Sequence, residues 1–170
     1  FSKTQLNKKG FPSKLGNFIT DLCLSYSDAH MCIMNNGGLR TFIDSGNIIT
    51  RNIYELMPFE NELVIVNLNK DDYVKLINYI AKKGEPFSGI TITINKEREL
   101  LSHSWPVNFE YDDKIKVLTS DYLANGGDQM SFFQNKKQEK IGIKVRDAII
   151  DYCNNIDTIN VILDKRVIIK

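Results

Sequence analysis

The order of hydrophobic and polar residues along the chain predicts a mixture of helices and strands. Near the start, five side chains recur at the spacing of one helical face: Leu15, Phe18, Ile19, Leu22 and Tyr26. This spacing predicts a helix of about three turns. Residues 70–83 predict a longer amphipathic helix, whose apolar face consists of Tyr73, Leu76, Ile77 and Ile80. Shorter helices are predicted over residues 51–57, which Pro58 ends, and over residues 144–155.

Short runs of apolar residues predict the strands of a sheet. They are HMCIM over 30–34, ELVIVNL over 62–68, GITITI over 89–94, KIKVLTS over 114–120, and VIL and VII over 161–163 and 167–169. No internal repeat and no linker divides the chain. We therefore predict one domain over residues 1–170, of the α+β class with a mixed sheet, in which residues 1–13 form an irregular, lysine-rich lead-in.

Composition and charge exclude several classes of protein. Of the 170 residues, 42% are hydrophobic and 25% are charged, as in globular proteins with a buried core. The net charge of +1 provides no field that would attract nucleic acid or an anionic membrane. No apolar run reaches the ~20 residues that a membrane-spanning helix needs, so no membrane span is predicted. The abrupt start at Phe1 indicates a processed or truncated chain.

Cysteines and histidines do not form a recognisable metal site. Cys23, Cys32 and Cys153 are widely spaced and contain no C-x-x-C pair, so we expect them to be buried as small hydrophobic residues. His30 and His103 are isolated from each other along the chain. No metal site and no catalytic residue is therefore predicted.

The segment MNNGGLR, residues 34–40, places polar groups beside a turn that follows a strand. We expect a turn because Asn and Gly adopt positive φ at low cost. Its backbone N–H groups would form a concave site for an anion, beside the amide of Asn35 and the guanidinium of Arg40. Because such turns are common, an ordinary turn without a ligand remains the alternative.

Two further segments add aromatic rings and a carboxylate. Phe59 follows a proline before a predicted strand, where its ring lies in the core or stacks on a ligand. In YLANGGDQ, Tyr122 ends a predicted strand, Gly126 and Gly127 form a tight turn, and Asp128 follows. Asp128 either binds a pair of neighbouring hydroxyls or caps the next short helix. Together with the first turn, these groups predict a nucleoside pocket without a catalytic set.

Four ordered motifs give the chain a resemblance to a known family. They are SKLGNFITD, NNGGLR, PFEN and YLANGGD, and the match runs from about residue 13 to residue 128, with a weaker tail over 145–152. They resemble the C-terminal, substrate-binding domain of the 5′-nucleotidases, a group that includes bacterial UDP-sugar hydrolase and animal ecto-5′-nucleotidase. The resemblance implies a domain of that fold that binds a nucleotide or nucleoside.

The resemblance also implies a role for each candidate residue. Phe59 and Tyr122 would sandwich the base, and Asp128 would accept hydrogen bonds from the ribose hydroxyls. Asn35 would contact the base or sugar edge, and Arg40 the sugar–phosphate side. Members of the family carry a further arginine before the LGN motif. Among the lysines that stand there in this chain, we assign that place to Lys9, which lacks the bidentate fork of arginine.

Catalysis, by the same resemblance, belongs to a separate N-terminal metallophosphoesterase domain that holds two divalent metal ions. None of its metal ligands is expected in this chain, so the chain is either a fragment or a subunit that associates with such a domain. The family is largely periplasmic or extracellular. One alternative is an interaction module that docks to a phosphoesterase without binding nucleotide, and another is an autonomous enzyme of unknown type.

Overall fold

The computed structural model describes residues 1–107 and 114–170. In chain order, its strands are β1 Met31–Ile33, β2 Glu62–Leu68, β3 Phe87–Ser88, β4 Ile92–Ile94, β5 Leu100–His103, β6 Ile115–Ser120, β7 Gln138–Lys144 and β8 Val167–Ile169. Its α-helices are α1 Lys14–Leu24, α2 Thr50–Leu56, α3 Lys70–Lys83, α4 Asp121–Ala124 and α5 Val145–Asn155. Two 3-10 turns, Gly127–Gln129 and Ser131–Phe133, follow α4.

A five-stranded mixed sheet forms the centre of the fold, in the spatial order β3–β1–β6–β2–β7. Strand β1 runs parallel to β6 and antiparallel to β3, whereas β2 is antiparallel to both of its neighbours. A smaller sheet has the order β5–β4–β8. The mixed sheet and the helices around it confirm the predicted α+β fold class.

Helices cover both faces of the central sheet, which explains why its middle strands are buried at nearly every position. Alternate residues of β2 point to opposite sides. Val64 and Val66 belong to one core cluster together with the apolar face of α3. Leu63 and Ile65 belong to a second cluster together with α1, α2 and α5. The sheet is therefore held from two sides, and the loops at its edges start from a rigid base.

The helix boundaries follow from capping residues. The Asn69 side chain accepts a hydrogen bond from the Asp72 N–H at the start of α3, and Gly84 ends the helix in a left-handed conformation with φ 71°. Ser13 caps α1 by accepting a hydrogen bond from the Gly16 N–H. The Gly84 cap fixes where α3 stops, and residues just after it contact the candidate site.

Most elements that the hydrophobic pattern predicts are confirmed. The strand over 62–68 and the helix over 70–83 are found with the predicted bounds, and the other predicted helices are found within a few residues of theirs. The predicted strand over 161–163 is wrong, because that segment has no strand partner and two of its three residues are exposed. Strands β3, β5 and β7 and the short helix α4 were not predicted. Strand β7 has a polar sequence and lies at the edge of the sheet. Its sequence therefore lacks the run of apolar residues by which the confirmed strands were predicted.

The lead-in is irregular but attached to the rest of the chain. Ser2 forms isolated bridges with Gly46 and Ile159, and Leu6 forms one with Ile43. Both Ser2 and Leu6 are fully buried. These bridges hold residues 1–13 against the body of the domain.

The cysteines lie where small hydrophobic residues would. Cys23 and Cys32 are buried and Cys153 is partly buried, and all three are free thiols. Burial raises the pKa of Cys23 to about 12. In the part of the chain that the structure describes, no helix is long and apolar enough to cross a membrane.

Two substitutions on opposite sides of α3 test this packing. Leu76 is fully buried, whereas the Val74 side chain is 37% exposed. We expect Leu76→Ala to lower the free energy of unfolding by about 2–5 kcal/mol, because it leaves a cavity in the core. Val74→Ala should lower it by less than about 1 kcal/mol. Equal losses in urea denaturation would show that α3 does not pack as described.

Candidate functional site

A cavity of about 310 Å³ opens at one edge of the central sheet. The carboxyl ends of the parallel strands β1 and β6 lie at this edge, together with the amino end of the antiparallel strand β2. Three loops that are distant in sequence therefore meet there. The lining residues are Asn35, Gly37, Gly38, Arg40, Phe59, Asn61, Tyr122 and Asp128.

The structure brings five of the six predicted site residues together. Asn35, Arg40, Phe59, Tyr122 and Asp128 all line the cavity. The sixth, Lys9, has an exposed side chain and is not among the lining residues. The roles that the resemblance gives these residues remain predictions.

Asn61 and the first glycine pair line the cavity as well, although they were not predicted as site residues. Asn61 lies inside the PFEN motif, two residues after Phe59, so this motif could have identified it as a site residue. Its carbonyl accepts a hydrogen bond from the Val145 N–H, which fixes its backbone. Its side-chain amide provides a further donor and acceptor at the cavity.

The first glycine pair allows the Asn35 side chain to fold back over its own turn. A Cβ atom at Gly38 would lie 2.8 Å from the Asn35 Oδ1, and one at Gly37 would lie 3.3 Å from the Asn35 Nδ2. The expectation that this turn needs positive φ is wrong, because Asn36, Gly37 and Gly38 all keep ordinary backbone angles. Close approach of a side chain, and not left-handed backbone, is what excludes larger residues here.

The expected anion site on the N–H groups of this turn is occupied by the protein itself. The Asn36 N–H donates to Oε2 of Glu85 at 2.6 Å, and the Gly38 N–H donates to the Asn35 carbonyl at 3.1 Å. The prediction of a backbone site for a ligand anion is therefore wrong for these two amides. A carboxylate of the chain provides the negative charge instead.

The second turn uses its glycines in two different ways. Gly126 adopts φ 92°, which is the left-handed conformation that a tight turn needs. A Cβ atom at Gly127 would lie 2.5 Å from Cε1 of Tyr122, so this glycine lets the ring lie against the backbone. Tyr122 belongs to α4 and not, as predicted, to the end of a strand.

Asp128 connects the two turns. Its Oδ1 accepts a hydrogen bond from the Tyr122 hydroxyl at 2.9 Å, and its Oδ2 accepts one from the Asn35 Nδ2 at 2.5 Å. The alternative in which Asp128 caps a helix is wrong, because the following 3-10 turn has no side-chain cap. Each carboxylate oxygen keeps a second lone pair, so the group can accept two more hydrogen bonds. Neighbouring hydroxyls of a sugar would supply such a pair of donors.

The two aromatic rings of the cavity are substantially open to solvent. The Phe59 side chain is 40% exposed and that of Tyr122 is 47% exposed. The alternative that places Phe59 in the core is therefore wrong. Large exposed rings beside a cavity provide flat apolar surfaces on which a planar ligand can stack.

An ion-pair network holds the loop that carries Phe59. The next residue, Glu60, accepts hydrogen bonds from Lys144 and from the nearly buried Arg146. These bonds, first that from Lys144 and then that from Arg146, lower the pKa of Glu60 to about 2. The Arg146 guanidinium also lies over the Tyr54 ring at 4.2 Å. The loop is thus attached to β7 and α5.

Two positively charged side chains, Lys8 and Arg40, contact the first turn. The Arg40 Nη1 donates to the Gly37 carbonyl at 3.2 Å, and the rest of its exposed guanidinium is available to a ligand. The lysine of the lead-in that contacts the turn is Lys8, whose Nζ donates to the carbonyls of Leu39 at 2.6 Å and Asn36 at 3.1 Å. Lys8 therefore stabilises the backbone from which Asn35 and Arg40 project.

The described residues supply binding groups at this site and no metal ligands. Over residues 1–107 and 114–170, no group of three or more His, Cys, Asp or Glu side chains could hold a metal ion. The family resemblance places its two metal ions on a separate domain and not on this chain. The lining residues combine two rings, two amides, a guanidinium and one carboxylate. This set can bind a planar ring that carries a diol.

The bond between Tyr122 and Asp128 has a measurable consequence. The hydrogen bond to the carboxylate, together with its negative charge, raises the pKa of Tyr122 above its ordinary value. We expect Asp128→Asn to lower this pKa towards the ordinary value, because the tyrosinate then meets no negative neighbour. NMR titration of isotope-labelled tyrosine, assigned with Tyr122→Phe, measures it. An unchanged pKa in Asp128→Asn would contradict the contact.

Comparison with known proteins agrees with this fold. The sequence model of the 5′-nucleotidase C-terminal domain matches residues 2–135. A 5′-nucleotidase of Vibrio parahaemolyticus is 24% identical over 68% of the chain, and the trifunctional nucleotide phosphoesterase protein YfkN of Bacillus subtilis is 30% identical over 71% of it. The chain spans only 22% and 10% of the lengths of these two proteins.

A solved structure shows the same fold. The 5′-nucleotidase precursor of Thermus thermophilus superposes on 99% of the chain with a TM-score of 0.85 and 22% sequence identity, and the chain covers 38% of that protein. The family match covers most of the chain, including both glycine turns. The chain therefore belongs to the 5′-nucleotidase C-terminal domain family.

Proposed function

We propose that this chain is the substrate-recognition domain of a 5′-nucleotidase, which binds the base and ribose of a nucleotide. The observation that carries the proposal is the grouping of two exposed rings, Phe59 and Tyr122, around a cavity that also contains the carboxylate of Asp128. Rings can stack on a base, and a carboxylate can bind the two hydroxyls of a ribose. A nucleoside has both parts in one molecule.

The remaining lining residues suit the other parts of a nucleotide. The amides of Asn35 and Asn61 can each donate and accept hydrogen bonds at the edge of the base or sugar. The exposed guanidinium of Arg40 suits the phosphate side, because its planar fork matches phosphate oxygens. Stacking accepts any planar base, so the amides rather than the rings would distinguish one base from another.

Hydrolysis, in this proposal, takes place on a separate metallophosphoesterase domain in the same or another chain. Two divalent metal ions on that domain would activate water and stabilise charge on the phosphoryl group. The chain spans only a small part of its longer relatives, which supports the separation of binding from hydrolysis. Location in the periplasm or at the cell surface is part of the proposal and rests on the family resemblance.

Calorimetry combined with a phosphate assay tests the proposal. We expect the chain to bind adenosine and AMP and to release no phosphate from AMP when divalent metal ions are added, because the described residues lack metal ligands. The predicted result is binding heat that fits a dissociation constant in the micromolar range, without phosphate release. Robust release by a pure sample would contradict it. Absence of heat with AMP, adenosine and UDP-glucose would favour an interaction module.

The two rings have a test of their own. We expect Phe59→Ala and Tyr122→Ala each to weaken adenosine binding by at least ~1 kcal/mol, because each removes one stacking surface. Phe42→Ala is the matched control, since Phe42 is 48% exposed and does not line the cavity. Titrations should give the control the affinity of the original protein. Equal affinities in all three variants would show that the two rings do not contribute to adenosine binding.

A further inference from the structure

One short segment outside the cavity holds both glycine turns. The Tyr79 hydroxyl donates to the main-chain carbonyl of Asp128 at 2.7 Å. The Asn36 Nδ2 donates to the Gly84 carbonyl at 2.9 Å, and the Asn36 N–H donates to Oε2 of Glu85 at 2.6 Å. Neither Tyr79 nor Glu85 lines the cavity. The end of α3 thus contacts the turn that carries Asn35 and the turn that carries Asp128.

This segment is itself firmly placed. Helix α3 is anchored by four fully buried side chains: Tyr73, Leu76, Ile77 and Ile80. After Gly84 ends the helix, the Pro86 carbonyl accepts a hydrogen bond from the Met34 N–H, and the chain enters β3 beside β1. Glu85 therefore lies between a packed helix and a paired strand, and its position is fixed from both sides.

Asn36 makes two of the three contacts. Glycine would keep the main-chain bond to Glu85 but has no amide to reach the Gly84 carbonyl. The Asn36 side chain thus adds a contact between the turn and the end of α3 that a glycine could not make.

We propose that Tyr79 and Glu85 are positioning residues for nucleoside binding: they hold the two turns at the separation at which Asn35 bonds to Asp128. This inference depends on the proposed function for its ligand. The bond between Asn35 and Asp128 joins groups on different loops, so its length depends on where each loop is held. Tyr79 fixes one loop and Glu85 fixes the other, and a ribose would bind to the carboxylate so placed.

The contact in which Glu85 accepts the Asn36 N–H is called the brace below. The charge on Glu85 provides a way to observe it directly. Burial raises the pKa of Glu85, and the negative charge of Asp128 raises it further, whereas the bonds from Asn36 and the charge of Lys83 lower it. Tyr79 is a further titratable group nearby, and its own pKa is raised to about 12, mainly by burial and then by the charges of Glu85 and Asp128. Because Glu85 accepts the Asn36 N–H, protonation of its carboxylate should change the chemical shift of that amide.

The experiment combines NMR without ligand and calorimetry with adenosine. In the original protein, the Asn36 amide shift should follow a titration with a midpoint above the ordinary glutamate value, and Glu85→Gln should abolish it. Glu97→Gln is the control, because Glu97 is exposed and distant in sequence from both turns. An Asn36 shift that does not respond to pH, or that responds equally in Glu85→Gln, would overturn the brace whether or not adenosine binds.

Affinities then test the positioning role. We expect Glu85→Ala to weaken adenosine binding about tenfold and Tyr79→Phe to weaken it several-fold, since each loses a bond that holds one turn. Glu85→Gln should stay within about threefold of the original protein, because its amide oxygen still accepts the Asn36 N–H. Tyr152→Phe, which alters a tyrosine outside the cavity, should bind normally.

Four results distinguish the outcomes. Unchanged affinity in Tyr79→Phe and in a folded Glu85→Ala would overturn the positioning role. Equal losses in Glu85→Gln and Glu85→Ala would overturn the role of the accepted N–H. If Glu85→Ala does not fold, Tyr79→Phe decides alone. If the original protein binds no adenosine while the Asn36 titration is present, the proposed function fails and the brace stands.

Discussion

The hydrogen bond between the Asn35 amide and the Asp128 carboxylate is the contact on which the candidate site depends. It joins residues 93 positions apart, and at 2.5 Å it links the loop after β1 to the loop after β6. The same carboxylate accepts the Tyr122 hydroxyl, so one group orients an amide and an aromatic ring together. Without this link, the two glycine turns would be separate surface features.

The central sheet makes the link possible. Parallel strands β1 and β6 deliver both turns to one edge, and the antiparallel β2 begins at that edge with Phe59 and Asn61 just before it. Core clusters on both faces hold these strands in register. The cost of ordering three loops is thereby carried largely by packing elsewhere in the domain, and the cavity groups are placed before a ligand arrives.

The sequence predicted the elements with strong periodicity and missed those without it. Helix α3 and strand β2 were found with their bounds because both have a clear apolar pattern and capping or turn residues at their ends. Strand β7 was missed because it lies at the sheet edge and is mostly polar. The segment over 161–163 misled in the opposite sense, since it is apolar and still has no partner strand.

The candidate site was likewise predicted where a local motif marks its residues and missed where none does. Motifs identified five of the eight residues that line the cavity, but they did not explain the first glycine pair, which serves close approach and not positive φ. They also gave no sign of Glu85, which lies 49 positions from the Asn36 that it contacts. Contacts of this kind depend on how α3 ends and how β3 pairs with β1, and a single sequence does not encode them in any local pattern.

Binding and hydrolysis are separable in the proposed function, because the described residues line a cavity that suits a nucleoside and supply no metal ligands. The most direct test is a crystal structure of the protein with adenosine. The base should lie between the rings of Phe59 and Tyr122, with both ribose hydroxyls within hydrogen-bond distance of the Asp128 carboxylate. A nucleoside bound elsewhere, or one whose ribose faces away from Asp128, would contradict the account.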